Sequence, residues 1–239
     1  MKRVALITGA SRGLGAMLAR LLARRRFDLV LNARGRPDLE RLASDIRGEG
    51  VAVITRDGDV AEATTRDALV DAAAELDGLD LLVNNASELG GLSPLAGLDL
   101  DRFERVLRVN VVAQLALTQR ALPLLARRGG LVVNISSDAA QGGYPGWGAY
   151  GASKAAFDLI GRTLAAEARE SGIAVITVDP GDMRTRMHQE AFPNEDISDR
   201  PLPEVTEPFW EWLLEQDARA ITGERFRAQK EDAPWAVPA

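Results

Sequence analysis

The chain has 239 residues, which fits one large α/β domain, and 46% of them are hydrophobic, enough for a substantial core. Its formal net charge of -6 and pI near 5.0 argue against nucleic acid as the main partner, because phosphate binding needs a basic surface. The absence of Cys excludes disulfides, thiolate metal sites and cysteine nucleophiles, and we expect no metal site.

The apolar segments are short. The N-terminal one stops at a Gly-rich turn after a few residues, too early for a signal peptide. No segment approaches the roughly 18 apolar residues that span a bilayer. We therefore expect a cytoplasmic protein without a membrane partner.

Apolar segments alternate with longer helical patterns along the chain, which predicts a parallel sheet covered on both faces. The predicted strands are residues 4–8, 29–32, 51–55, 79–84, 131–136, 174–179 and 225–228. The predicted helices are residues 14–25, 37–48, 65–76, 102–127, 152–171 and 207–215. The sequence thus predicts an α/β, doubly wound Rossmann fold with a seven-stranded parallel sheet, as a single domain over residues 1–239.

Two local features refine this prediction. Asp38, Thr64 and Asp101 occupy expected N-cap positions, and Gly172 is placed to end a helix. Residues 182–207 are polar, contain prolines and lack a strong period, so we expect a substrate lid there.

A Gly-rich turn follows the first strand and leads directly into a helix. Its glycines allow a tight turn and a close approach to a pyrophosphate, and the helix N-terminus favours the anion. The alternative is an ordinary strand–helix turn, but the position after the first strand favours a dinucleotide site. The predicted contacts are Gly9, Ser11, Arg12, Gly13, Leu14 and Gly15.

The end of the second strand bears on the choice of cofactor. An NAD site usually has an acid there for the ribose 2′-hydroxyl, whereas Arg suits a 2′-phosphate. Here Ala33 and Arg34 occupy that region, and Arg12 lies in the Gly-rich turn. The alternative is that both arginines are solvated surface charges, but the pattern favours NADP(H).

Tyr150 and Lys154 are one helical turn apart, on one helix face. A phenol near pKa 10 is a poor acid or base at neutral pH, and a neighbouring ammonium favours its phenolate form. The chain has two tyrosines, and its lysines are Lys2, Lys154 and Lys230, so a chance pairing is disfavoured. The pair is typical of a proton-transfer site.

The ordered motifs resemble the short-chain dehydrogenase/reductase family in its compact single-domain form, from about residue 2 to residue 223. In chain order they are Thr8-Gly-x-x-x-Gly-x-Gly15, Asp59-Val60, Asn84-Asn85-Ala86, Asn110, Ser137, Tyr150/Lys154, and Pro180-Gly181 with Thr185. Asn84 is expected to tie neighbouring strands together rather than contact a ligand.

The resemblance implies roles for these residues. Tyr150 would be the general acid in carbonyl reduction, and Lys154 would lower the Tyr150 pKa and hold the nicotinamide ribose. Ser137 would hydrogen-bond the substrate oxygen, and Asn110 would hold a water that relays protons to Lys154. The further cofactor contacts implied are Asp59, Val60, Asn85, Ala86, Pro180, Gly181 and Thr185.

The sequence departs from the family pattern at two places. Ser87 stands where the family usually has Gly, and residues 221–229 lack the usual Asp-Gly-Gly turn. His188 is the one histidine, and a surface residue is the expected interpretation. The group Phe209, Trp210 and Trp212 is expected to pack the lid against the core, while Tyr144 and Trp147 are candidates for the substrate pocket.

The sequence leaves three functions open. The leading hypothesis is an NADPH-dependent oxidoreductase acting on a small carbonyl or alcohol. The alternatives are a 3-oxoacyl-carrier-protein-type reductase, with Arg184, Arg186 and Arg200 flanking the lid, and a protein that binds NADP(H) without turnover. The family usually assembles through its two long helices, and the apolar excess of residues 109–125 predicts a homodimer or homotetramer.

Overall fold

The computed structural model describes residues 2–229 and residue 235, so the two ends of the predicted domain (residues 1, 230–234 and 236–239) lie outside it. Seven parallel strands form one sheet in the order β3-β2-β1-β4-β5-β6-β7. Their bounds are β1 Arg3–Ile7, β2 Phe27–Ala33, β3 Val53–Asp57, β4 Leu81–Asn84, β5 Leu131–Ile135, β6 Ala174–Asp179 and β7 Arg225–Arg227. The predicted doubly wound fold is confirmed.

Helices connect the strands on both sides. The α-helices are α1 Gly13–Arg24, α2 Arg36–Arg47, α3 Ala63–Glu75, α4 Leu100–Leu107, α5 Gln114–Arg128, α6 Gly148–Glu167, α7 Arg186–Ala191 and α8 Glu207–Leu213. Short 3-10 helices lie at Leu95–Gly97, Asp138–Ala140, Arg169–Ser171 and Pro203–Thr206. Among the described residues, no helix is both long and apolar enough to cross a membrane.

The core has two layers, because the strands carry apolar residues toward both faces. One apolar cluster joins the sheet to α1, α2 and α8, and the other joins it to α3, α5 and α6. In the first cluster, Phe209 packs against Trp210, Trp212 and Phe226, with ring centroids 5.1 to 5.8 Å apart. These aromatic rings therefore belong to the core.

The predicted structural role of Asn84 is confirmed. Its Nδ2 donates to the side-chain oxygens of Thr118 and Asn134, at 2.9 Å each. Because Asn134 lies on β5, this amide ties β4 to its neighbour. Gly172 also has the left-handed conformation expected of a residue that ends a helix, with φ 73°.

Several predicted boundaries are wrong. The N-caps lie at Gly35, Glu62 and Asp99 rather than at Asp38, Thr64 and Asp101, because these helices begin earlier than their apolar periodicity does. The predicted helix over residues 102–127 is interrupted by a π-helical segment, Arg108–Ala113. The predicted irregular lid contains α7.

Candidate active site

The carboxyl ends of the strands surround a cavity of about 340 Å³. Parallel strands bring their loops together at this edge, which is where open α/β sheets bind ligands. Most of the predicted site residues line it: Gly9, Ser11, Arg12, Gly13, Leu14, Gly15, Arg34, Asp59, Val60, Asn85, Ala86, Ser137, Tyr150, Lys154, Pro180, Gly181 and Thr185. The sequence motifs, which are scattered along the chain, thus converge on one site.

The Gly-rich turn is packed too tightly for side chains. A Cβ on Gly9, whose φ is +65°, would lie 2.9 Å from Cα of Ala86, and one on Gly15 would lie 2.4 Å from the Gly9 carbonyl oxygen. The amide of Asn85 donates to the carbonyls of Thr8 (2.8 Å) and Gly9 (3.1 Å). The loop after β4 therefore holds the turn in place.

Helix α1 begins at Gly13, directly after this turn. Arg12 occupies the N-cap position, and an arginine side chain has no acceptor with which to cap the first N–H groups. These groups and the helix dipole remain available to an anion in the cavity. The turn and helix fit a dinucleotide pyrophosphate.

The part of the cavity near Arg34, where the sequence predicts the adenosine end of the cofactor, contains a network of ion pairs that the sequence motifs did not indicate. Glu88 pairs with Arg34 and with Arg105, whose Nη2 is 2.9 Å from Oε1. Arg105 also pairs with Asp59, and its own pKa is raised, chiefly by the hydrogen bond to Glu88. Burial raises the pKa of Asp59, but hydrogen bonds from the Ala61 N–H and Arg105 outweigh it, and the net shift is downward. No sequence motif pointed to Glu88 or Arg105.

Tyr150 and Lys154 lie in the first turns of α6, both largely buried. The Lys154 Nζ is 5.4 Å from the centroid of the Tyr150 ring and donates to the Ile135 carbonyl oxygen at 2.8 Å. Burial lowers the pKa of Lys154 to about 8, with Asp158 acting in the opposite direction. The ammonium is thus held beside the phenol by the end of β5.

The pKa of Tyr150 is raised, opposite to the direction expected from the pair with Lys154. Burial is the largest cause and the Asp179 carboxylate the next, while the hydroxyls of Ser137 and Ser87 lower it. A phenol that is buried near carboxylates holds its proton more firmly than one in water. This environment keeps Tyr150 protonated at neutral pH, which is the form that a general acid needs, but the raised pKa makes the phenol a weaker acid than one in water.

The Ser137 hydroxyl already has hydrogen-bond partners within the protein. Its Oγ donates to Oδ1 of Asp138 at 2.9 Å and accepts from the Ala139 N–H at 3.1 Å. The other Asp138 oxygen accepts from the exposed Tyr144 hydroxyl at 2.8 Å. Ser137 must therefore turn from Asp138 before it can donate to a substrate oxygen.

Asn110 is not among the residues that line the cavity, within the described chain. It lies buried in the π-helical segment, where it accepts from the Glu88 N–H (2.8 Å) and donates to the Glu88 carbonyl (2.9 Å). It also donates to Ser153 Oγ (3.0 Å), which in turn donates to the Tyr150 carbonyl (2.6 Å). Asn110 joins the loop after β4 to the helix that carries Tyr150, and its predicted relay role stays a prediction.

Helix α7 closes one side of the cavity. Thr185 caps it, accepting from the His188 N–H at 3.2 Å. The His188 side chain is 9% exposed, lines the cavity and lies 4.9 Å from the Phe192 ring, so the surface position expected for it is wrong. Its Nδ1 is 3.8 Å from Oδ1 of Asp182. Trp147 lines the cavity, whereas Tyr144 lies outside the lining residues.

Comparison with known proteins agrees with this geometry. The sequence model of the short chain dehydrogenases matches residues 3–196. The uncharacterized oxidoreductase YciK of Escherichia coli K12 is 34% identical over 232 residues, covering 95% of this chain and 92% of the relative. A short chain dehydrogenase from Escherichia coli CFT073 complexed with NADPH superposes with a TM-score of 0.86 at 34% identity, covering 95% of this chain and 97% of that one. A 3-oxoacyl-[acyl-carrier protein] reductase from Brucella melitensis in complex with NAD gives a TM-score of 0.86 at 27% identity, with 95% and 96% covered.

Proposed function

The chain belongs to the short-chain dehydrogenase family of oxidoreductases, and we propose that it uses NADP(H) to interconvert a small carbonyl compound and its alcohol. The observation that carries the proposal is the single cavity that Tyr150 and Lys154 share with the Gly-rich turn and the N-terminus of α1. A nicotinamide bound there would supply or accept the hydride. The protein's own groups must orient the reactants and move the proton.

Tyr150 would donate the proton to the carbonyl oxygen, and its buried position keeps it in the protonated form at neutral pH. Lys154 would hold the nicotinamide ribose and compensate negative charge that develops on the phenol. Ser137, once released from Asp138, would donate to the substrate oxygen. Asn110 would act indirectly, because its bond to Ser153 links it to the backbone of Tyr150.

The remaining predicted contacts would hold the dinucleotide. Gly9, Ser11, Gly13, Leu14 and Gly15 would face the pyrophosphate at the start of α1. A Cβ at Gly9 or Gly15 would collide with neighbouring backbone. At the adenosine end, the contacts would be Asp59, Val60, Asn85 and Ala86. At the nicotinamide end, they would be Pro180, Gly181 and Thr185.

The preference for NADP(H) rests on Arg34 and Arg12, which line the cavity at the end of β2 and in the turn, and Arg34 would exchange its pairing with Glu88 for the 2′-phosphate. The NADPH complex of the Escherichia coli CFT073 relative supports it. Replacing Arg34 by Ala is expected to raise the KM for NADPH about 10–100-fold, because a guanidinium–phosphate interaction contributes about 1.5–3 kcal/mol. The KM for NADH should change little. Steady-state assays with both cofactors measure this.

The matched control is Arg47→Ala, which removes the same charge from the far end of α2, where Arg47 pairs with Glu40. Its KM for NADPH should equal that of the wild type. If Arg34→Ala and Arg47→Ala behave alike, Arg34 is a solvated surface charge and the NADP(H) assignment loses its main support.

The function itself is tested with a panel of aldehydes and ketones. Leu89, Trp147, Met187 and Ala191 line the cavity near Tyr150 and give it an apolar wall, so neutral carbonyl compounds with an apolar body should be preferred. Consumption of NADPH by such compounds is the expected result. Tight NADPH binding without oxidation by any member of the panel would contradict the proposal.

The Brucella melitensis relative favours one second candidate, reduction of a 3-oxoacyl group on a carrier protein. That function requires a basic surface near the cavity for the acidic carrier. Arg186 pairs with Glu190 and Arg200 with Asp199, so among the described residues only Arg184 of the predicted basic flank lacks an ion pair. Comparing a 3-oxoacyl thioester with simple ketones separates the two candidates.

We also propose a homodimer or homotetramer built on the long helices. Val112, in the π-helical segment, and Leu159, in α6, are 59% and 58% exposed. Exposed apolar side chains on neighbouring elements are typical of a subunit interface. Sedimentation velocity should show an oligomer, and a monomer alone would contradict it.

A further inference from the structure

One carboxylate of the cavity lies between two guanidinium groups. Oε1 of Glu88 accepts from Nη1 of Arg34 and from Nη2 of Arg105, the latter at 2.9 Å, and Oε2 accepts from Nε of Arg105 at 3.0 Å. Glu88 and Arg34 line the cavity, whereas Arg105, on α4, is not among the lining residues of the described chain. Glu88 is therefore held from outside the cavity by one arginine and contacted on the cavity side by the other.

The two ion pairs differ in how firmly they are held. Arg105 bonds to both oxygens of Glu88 and also pairs with Asp59, and a two-point contact of this kind fixes the geometry of a carboxylate. Arg34 contacts Glu88 through one nitrogen, its side chain is 66% exposed, and it has no other ion pair within the described residues. The pair with Arg34 is therefore the one that can open without moving the carboxylate.

The main chain of Glu88 is fixed as well. Its N–H donates to the Asn110 side chain and its carbonyl accepts from the same amide, at 2.8 and 2.9 Å. The Glu88 side chain is 19% exposed, so water and salt screen its charge only in part. When Arg34 moves to a ligand, the negative charge of Glu88 stays in the wall of the cavity.

This arrangement affects the two nicotinamide cofactors differently. A 2′-phosphate can bind Arg34 only by displacing it from Glu88, because both anions use the same guanidinium. The 2′-hydroxyl of NAD(H) carries no charge and leaves the ion pair intact. The Glu88 carboxylate should therefore weaken the binding of NADP(H) and leave the binding of NAD(H) unchanged.

We propose that Glu88 is a specificity-determining residue of the cofactor site, which competes with the 2′-phosphate for Arg34 and so narrows the preference for NADP(H) over NAD(H). The inference rests on the proposed use of NADP(H). A purely structural role, joining the loop after β4 to α4, accounts for the contacts with Arg105 but not for the contact with Arg34. The experiment must therefore isolate the contact with Arg34.

The test replaces Glu88 by Gln, which removes the charge and keeps the length of the side chain and an oxygen that can accept from Arg105. Binding of NADPH and of NADH to the purified protein is followed by the fluorescence of the reduced nicotinamide, so no turnover is needed. The Kd for NADPH should fall about three- to fivefold, near the upper end of the range for an exposed ion pair, because Glu88 itself is largely buried. The Kd for NADH should stay within about 1.5-fold of the wild-type value.

Glu75→Gln is the matched control. It makes the same chemical change at a carboxylate that pairs with Arg56 at 3.2 Å and is not among the residues that line the cavity. Its Kd values for both cofactors should equal those of the wild type, which excludes an effect of net charge alone. Near-ultraviolet circular dichroism verifies the folding of each variant. If Glu88→Gln does not fold, Glu88→Met removes the same charge, and the same direction is expected.

A double substitution separates competition from direct repulsion. In an Arg34→Ala background, Glu88→Gln should change the Kd for NADPH by less than about 1.5-fold, because the guanidinium for which the two anions compete is gone. Tightening as large as in the wild-type background overturns the proposal, since Glu88 would then repel the phosphate directly. An unchanged Kd for NADPH in Glu88→Gln, or equal tightening for NADPH and NADH, also overturns it.

The same titrations distinguish failure of the inference from failure of the proposed function. If the wild type binds NADPH and Glu88→Gln leaves its Kd unchanged, the use of NADP(H) stands and the inference alone fails. If the wild type does not bind NADPH, the proposed use of NADP(H) fails, and the inference fails with it.

Discussion

Replacing Tyr150 by Phe is expected to lower kcat for carbonyl reduction by about 10²–10⁴-fold, the range typical of a lost general acid. The ring remains, so its packing against Trp147, at 5.9 Å between centroids, is retained. NADPH affinity should stay within about threefold of the wild type, because the lost hydroxyl contributes at most one ordinary hydrogen bond to binding. Steady-state kinetics and a fluorescence titration with NADPH measure the two quantities.

Tyr144→Phe is the natural control for this experiment. It makes the same chemical change at the other tyrosine, which is 46% exposed and bonded to Asp138. Its kcat should lie within about threefold of the wild type, since an exposed hydrogen bond contributes little. Equal activity of Tyr150→Phe and the wild type on any accepted substrate would remove Tyr150 from the mechanism.

Lys154→Met is expected to lose activity and gain stability together. Lys154 is buried, and its pKa falls from 10.5 to about 8 on folding. Below about pH 8 the folded protein bears the full cost of the buried ammonium, and the cost disappears as the pH rises toward 10.5. Methionine avoids that cost, so the free energy of unfolding at pH 7 should increase by about 1–3 kcal/mol, less whatever the bond to Ile135 contributes.

Urea denaturation at several pH values measures this gain, which should shrink between pH 8 and pH 10 in the direction that the linkage requires. Activity should fall at least about 100-fold, in keeping with a group needed for proton transfer. Lys2→Met removes a half-exposed lysine and should change stability by less than about 0.5 kcal/mol. A Lys154→Met variant less stable than the wild type at pH 7 would show that the ammonium stabilises the fold.

The fold could be predicted because its signals are local. Strand β2 is buried along its whole length and apolar except for Asp28 and Asn32, and the Gly-rich turn joins β1 to α1 within a few residues. Helix starts were less predictable. The helices at Gly35 and Glu62 begin without a capping side chain, so the nearby Asp38 and Thr64 misled the sequence reasoning.

The π-helical segment that holds Asn110 was not predictable from the sequence. The helical spacing of apolar residues continues through this segment, so the sequence does not mark it. What distinguishes the segment is a tertiary contact, the hydrogen bonds between Asn110 and the Glu88 backbone. Those contacts join segments that are 22 residues apart. A pattern read along the chain carries no such information.

Long-range charge pairs were missed for the same reason. Glu88 meets Arg34 across 54 positions, and Arg225 meets Asp158 across 67. His188 was assigned to the surface because a lone histidine without ligand partners is more often a surface residue, yet its ring lies in the cavity wall on α7. In these cases, tertiary packing decides the environment of a side chain that the sequence presents as ordinary.

Isotope transfer tests the central claim most directly. NADPH deuterated at both C4 positions is incubated with the enzyme and a carbonyl compound that it reduces, and the alcohol is analysed by mass spectrometry. The account predicts one deuterium on the carbinol carbon, and a much smaller yield with Tyr150→Phe. Alcohol without deuterium would contradict hydride transfer, and an equal yield from Tyr150→Phe would contradict the role of its phenol.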